Sequence, residues 1–304
     1  MTNEAFPKSW KCRRLTNGTV EVFVTTGVGP RVIGYRLKGR ENILGLAPVT
    51  ESKTSLGTWK AYGGHRLWAA PEVAPRTLAP DNGPLKSVKG GGRQACFIQR
   101  VDAAGLEKQI AVVLDRAGSG VTVHHRITNR NQWDIDLAPW ALSIMNGGGT
   151  VIVPQEPYKS HDEAVLPARQ MTLWAYTDLS DRRYAIGPRF LRLSTDSSMK
   201  EPTKVGVANK RGWTAYMRGD LLFVKIHSYN LLGTYPDYGC NTEVYTAADF
   251  VEVETLGPMA RLCPGACAEH TERWHLFSGV PGVFSEEALA GVIGAILRKL
   301  QVAG

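Results

Sequence analysis

The chain has 304 residues, 43% hydrophobic and 21% charged, enough to bury a large core without disulfides or metals and too apolar for extended disorder. Its 36 basic and 28 acidic residues leave a formal net charge of +8. The basic residues cluster only as the pairs Arg13-Arg14 and Arg182-Arg183, interleaved elsewhere with acids, so neither nucleic acid nor a membrane is the expected partner.

No run of about 18 apolar residues occurs, which argues against a spanning helix. The polar start, Met1 to Trp10, lacks the apolar core of a signal peptide, so a cytoplasmic location is expected. Period-2 alternation then dominates. Strands are expected at Val20–Val24, Arg31–Leu37, Arg93–Val101, Gln109–Asp115, Val121–Thr128, Lys204–Ala208, Leu221–His227, Thr242–Thr246, Phe250–Leu256 and Arg273–Phe277. Turn signals such as Asn17-Gly18, Gly39-Arg40 and Gly118-Ser119-Gly120 separate them. Gly90-Gly91-Gly92 and Gly147-Gly148-Gly149 read as loops. Roughly fifteen short strands with almost no helix give an all-β class, a large antiparallel sandwich or barrel. One helix is expected at Ser285–Gln301, with Ser285 as cap, Glu286 and Glu287 in its first turn, and an apolar stripe from Leu289 to Leu300. No linker is evident, so residues 1–304 are expected to form a single domain. Five scattered cysteines, an odd number, point to reduced thiols.

Four segments carry more polar chemistry than folding requires. Tyr62-Gly63-Gly64-His65-Arg66-Leu67-Trp68-Ala69-Ala70-Pro71-Glu72 combines close-approach glycines with donors and a flat indole. Sugars need that combination, having hydroxyl rims and a C–H face; a structural turn with an Arg–Glu pair is the plainer reading. Trp140, in Leu137–Met145, is either a stacking platform or core. Alternation puts Phe223, Lys225 and His227 on one strand face, and Leu222, Val224 and Ile226 on the other. If the aliphatic face meets the core, Lys225 and His227 point into solvent or a cleft. Asp237 precedes Asn241, Glu243 and Tyr245, which share a face. Glu252 and Glu254 share the face opposite Val251 and Val253; Glu254, near the strand end, is either a base on a rigid support or a surface carboxylate.

Other constellations are weak. His124 and His125 point to opposite faces, as do His270 and His275, and Cys263-x3-Cys267 has no second pair. No phosphate-binding loop or nucleophile elbow occurs. Neither metal nor cofactor is expected.

These segments resemble the galactose-mutarotase-like superfamily. The narrower resemblance is to a bacterial branch marked by Gly-Gly-His-Arg-Leu-Trp-x-Ala-Pro-Glu, here Gly63 to Glu72. Its other marks are Leu137 to Leu142, Tyr235 to Tyr245, Glu254 to Pro258, Leu262 to Gly265 and Glu272 to Leu276. The resemblance covers most of the chain and is looser for true aldose 1-epimerases. It implies a large twisted β-sandwich whose concave face binds a sugar. It also implies a glutamate that takes the anomeric proton and a histidine that protonates the ring oxygen. Glu254 is the counterpart of the base. The usual mid-chain histidine is unmatched, since the comparable position reads Ala138-Pro139-Trp140, so His65 or Lys225 must supply the proton or the chemistry is lost.

The expectation is therefore a sugar-binding protein with Glu254 and His65 as catalytic pair. Arg66, Trp68, Glu72, Trp140, Lys225, Asp237, Asn241 and Glu243 would line the same pocket, and Glu252→Gln would change little. An aldose 1-epimerase-like isomerase and a non-catalytic carbohydrate-recognition domain both remain open. The sequence leaves the sugar and the oligomeric state undetermined.

Overall fold

The computed structural model describes residues 6–46, 50–282 and 285–302. Residues 1–5 of the polar start lie outside them.

The alternating runs become 22 strands among the described residues, most of them in two ten-stranded antiparallel sheets. The first sheet runs, edge to edge, through Cys12–Thr16, Val20–Thr25, Val32–Leu37, His65–Ala70, Ile135–Asn146, Phe250–Leu256, Thr242–Ala247, Thr203–Val207 and Met171–Leu173, with Ala260–Leu262 paired to Ile135–Asn146. The second runs through Tyr184–Ile186, Phe190–Ser194, Thr150–Pro154, Trp213–Arg218, Leu221–His227, Cys267–Phe277, Val121–Asn129, Leu106–Leu114, Gln94–Ile98 and Ser87–Gly91. A separate hairpin, Glu51–Thr54 and Gly57–Lys60, completes the set. One continuous core joins the sheets: Val22, Tyr35, Leu67, Met145 and Val253 from the first meet Ile110, Val123, Phe223 and Trp274 from the second. Burying one face of each alternating strand is the driving force for such a sandwich.

The C-terminal helix forms at Glu286–Leu300, and the Ser285 hydroxyl accepts the Ala288 N–H at 3.2 Å. Leu289, Ile293, Ile296 and Leu297 pack on Ile152, Trp213, Leu222 and Val224 of the second sheet. The helix thus covers the outer face of Leu221–His227, and that strand is buried on both sides. Alternation alone does not say which side lies between the sheets. Here the aliphatic side meets the helix, and Phe223, Lys225 and His227 turn inward.

Two other departures have local causes. Gly90 and Gly91 lie within the strand Ser87–Gly91 rather than in a loop. The segment around His65 is a fully buried strand preceded by Gly64 at φ +67°; a Cβ there would stand 2.4 Å from the Val32 carbonyl oxygen. The glycine serves strand packing, not a ligand. All five cysteines are unpaired.

Candidate functional site

Recognising His65–Ala70 as a strand decides which residues meet. Neighbours on a strand point to opposite faces. Arg66 and Trp68 lie on the outer face of the first sheet, and His65 lies between the sheets. Register places Leu142 beside Arg66 on one side and beside Glu254 on the other, with Glu243 opposite Glu254 on the next strand. One step along, Ile144 faces Glu252, Glu252 faces Tyr245, and Tyr245 faces Lys204. One outer surface therefore collects an arginine, a lysine and three glutamates.

A cleft of about 460 Å3 lies over this surface, lined by Trp59, Arg66, Trp68, Glu72, Trp140, Tyr176, Lys204, Tyr245 and Glu252, among others. Trp59 and Trp68 stand 5.7 Å apart between ring centres, and Trp68 and Trp140 5.3 Å. The Arg66 guanidinium lies 3.6 Å from the Trp68 ring centre, and the Lys204 ammonium 4.8 Å from that of Trp140. Flat indoles beside fixed cations suit a ligand with both an apolar face and polar edges. A larger groove, about 550 Å3, runs between the C-terminal helix and Pro154–Tyr158. It is mostly apolar, with Arg189, Arg211 and Glu287 as the charged groups among its described lining residues, so the denser cluster of ionisable side chains lies at the smaller cleft.

The polar groups are tightly coupled. Oε2 of Glu254 accepts the Trp140 indole N–H at 2.8 Å and the Lys204 ammonium at 3.0 Å; Lys204 also reaches Glu243 at 2.7 Å. Burial pulls the Lys204 ammonium down, but Glu254 and Glu243 more than offset it, so the side chain stays a cation. Burial pushes the Glu243 carboxyl well above the usual range despite Lys204. Burial, reinforced by Glu254, pushes Glu252 up to about 7, against the pull of Arg66 and Lys204. Burial lowers Arg66 to about 10, which still leaves it charged at neutral pH. Among the described residues, buried atoms on this face without a hydrogen-bond partner include Nε and Nη1 of Arg66, Nε1 of Trp59, Oε1 of Glu254 and Oε1 of Glu243. Folded proteins rarely leave buried polar atoms unpaired.

The structure thus brings Arg66, Trp68, Glu72, Trp140, Glu243 and Glu254 to one face, with Glu72 at its exposed rim. Trp140 is buried core and also lines the cleft. Asn241 instead clasps Asn209, accepting its backbone N–H at 2.6 Å and donating to its carbonyl at 3.0 Å. Asp237, in the tight turn Pro236–Gly239 where it and Tyr238 take left-handed backbone angles, offers its carbonyl to the Thr172 hydroxyl at 3.2 Å and is not among the cleft-lining residues. Trp59, Tyr176, Lys204 and Tyr245 were not singled out as site residues from the sequence. A signal existed for Lys204, a lone cation in an otherwise small and aliphatic strand.

His65 and Lys225 must be removed from the site. Both are fully buried between the sheets, behind the face that carries Glu254. There Lys225 donates to Glu272 at 3.0 Å, to Ser143 at 2.8 Å and to the Val253 carbonyl at 2.9 Å. His65 meets Ser143 at 2.8 Å and His125 Nε2 at 2.7 Å; His125 donates Nδ1–H to the His270 carbonyl at 3.1 Å. Trp274 donates to Glu272 at 2.8 Å, the Thr255 hydroxyl also donates to Glu272, and Thr255 accepts from His270 at 2.7 Å. One set of donor directions satisfies all these contacts with neutral histidines and a Lys225–Glu272 ion pair. His65, His125 and Glu272 present ligand atoms within 4.8 Å of one another. Their donors are already spent on one another, and the Lys225 ammonium balances Glu272, so the set fits a hydrogen-bonded network rather than a cation site.

No family model and no curated protein matches the sequence. Solved structures do. A galactose mutarotase-like protein from Lactobacillus casei superposes with a TM-score of 0.55 at 11% identity, covering 88% of this chain and 100% of its own. A galactose mutarotase related enzyme from Lactobacillus acidophilus gives 0.54 at 8% identity, over 90% and 100%. A candidate aldose 1-epimerase from Escherichia coli K12 gives 0.54 at 12% identity, over 88% and 99%. The chain has the galactose-mutarotase-like fold.

Proposed function

We propose that the outer cleft binds a sugar and that the protein interconverts sugar anomers, as an aldose 1-epimerase-like enzyme. The observation that carries this reading is the set of unpartnered buried atoms of Arg66, Trp59 and Glu254 beside three indoles. Sugar hydroxyls would accept from Arg66 and Trp59 and donate to Glu254 Oε1, while a pyranose C–H face packs on indole. Glu254 then takes the proton of the anomeric hydroxyl. Trp140 and Lys204 hold its other oxygen and fix the carboxylate's direction.

The non-catalytic reading keeps one observation in its favour: the expected proton donor, His65, lies on the far side of the sheet. Polarimetry on freshly dissolved α-glucose, α-galactose and other aldoses, with the spontaneous rate subtracted, separates the two. The wild type is expected to exceed buffer on at least one aldose, and Glu254→Gln to lower that rate by about 10²-fold. Saturable binding with no rate above buffer would select the recognition-domain reading.

A further inference from the structure

We propose, resting on the epimerase reading above, that Glu252 is the group that delivers a proton to the ring oxygen, as acid partner to Glu254. Opening a cyclic hemiacetal needs a base at the anomeric hydroxyl and an acid at the ring oxygen. Those oxygens share one carbon, so groups reaching both through hydrogen bonds of about 2.8 Å stand roughly 7–8 Å apart or less. Glu252 and Glu254 alternate on one strand, on one face, about 7 Å apart at the strand rise. Glu252 is half-buried and lines the cleft.

The other proton-bearing groups facing this space serve less well. Arg66 and Lys204 hold their protons at neutral pH. Burial pushes the Tyr176 phenol up to about 12 and raises that of Tyr245. Glu243 lies on the next strand, opposite Glu254 and bound to Lys204, and does not line the cleft, and Glu72 stands at the exposed rim. The groups packed around Glu252 are Arg66 from the neighbouring sheet region, Tyr245 and Lys204 from the strands beyond, Glu254 on its own strand, and Glu72 from the rim. Together with burial they hold Glu252 near 7, so both its forms are populated at neutral pH. Two carboxyls whose surroundings differ in this way are a recurrent acid–base arrangement.

The step balances within the pair. Glu254 accepts the anomeric O–H proton, and that electron pair forms the C1 carbonyl. The bond from C1 to the ring oxygen breaks, and its electrons take the Glu252 proton. Rotation about C1–C2 followed by the reverse transfers closes the ring as the other anomer and restores both carboxyls. No co-reactant is consumed. The sequence alone gives no reason for Glu252→Gln to matter; its place in the cleft reverses that expectation.

The test is the pH profile of mutarotation for wild type, Glu252→Gln and Glu252→Asp, with binding of the same aldose measured by calorimetry and folding checked by circular dichroism. In the wild type the rate above buffer is expected to fall as pH rises through about 7. Glu252→Gln should lose about 10²-fold in rate, lose that limb of the profile and bind the aldose within a few-fold. Glu252→Asp should recover part of the rate. A Glu252→Gln protein as fast as a fast wild type, with the limb intact, overturns this assignment alone. A wild type no faster than buffer on every aldose overturns the epimerase reading and this assignment with it.

Discussion

Lowering the pH from 7 to 4.5 is expected to cost the protein most of its folding free energy. Burial depresses five histidines: His125 and His275 to about 4, His227 and His270 to about 3, and His65 well below its ordinary range. In the unfolded chain each titrates near the ordinary value of about 6.5. Below that pH the unfolded state binds protons that the folded state refuses, so stability falls as pH falls from about 6.5 toward 4. Glu252, between the carboxylate range and about 7, and Glu243, also raised, act the other way, because they bind protons in the folded state first. Five histidines less two carboxyls leave three net protons favouring the unfolded state in this window. At about 1.4 kcal/mol per proton per pH unit, the loss over one to two units is comparable with the whole stability of a domain. Calorimetric melting at pH 7, 6.5, 5.5, 5 and 4.5 should give a Tm that falls steeply below 6.5. A Tm unchanged between pH 7 and 5 would mean that these histidines are not held neutral.

Lys225→Met is expected to destabilise the fold by about 3–5 kcal/mol, and Glu272→Gln by a similar amount. Each removes one partner of a fully buried ion pair and strands the other without water. Lys225 also ties the Val253 carbonyl, between Glu252 and Glu254, to the second sheet. The double substitution Lys225→Met with Glu272→Gln should lose less than the two single losses added together, because no charge is left stranded. Urea denaturation of the four proteins reads this. Equal and additive small losses would show that the network is solvated or unformed.

These two predictions concern the residues that the sequence placed least well. Adjacent strand residues cannot share a face, so grouping His65 with Arg66 in one pocket required a turn where the chain makes a strand. The run from Leu137 to Met145 hides its strand character for a related reason: it is buried on both faces and shows no alternation. Lys225 was misdirected by an element 60 or so positions away, since the C-terminal helix buries the aliphatic side of its strand. Arg66, Trp68, Trp140, Glu243 and Glu254 were legible because polar and aromatic residues recur there at strand spacing beside turn-forming sequence. Trp59 and Tyr176 come from a hairpin and a segment that only the tertiary fold lays over the sheet. The all-β class and the capped helix were legible from period and cap alone, because both are local properties of the chain.

Sugar binding in the outer cleft is the central claim. Calorimetric titration of monosaccharides into the wild type and Arg66→Met tests it, since Arg66 brings unpaired buried donors to that face. The account predicts saturable binding of at least one aldose at a single site, weakened about tenfold or more in Arg66→Met through lost hydrogen bonds to a charged group. No binding by any aldose, or binding that Arg66→Met leaves unchanged, would contradict it.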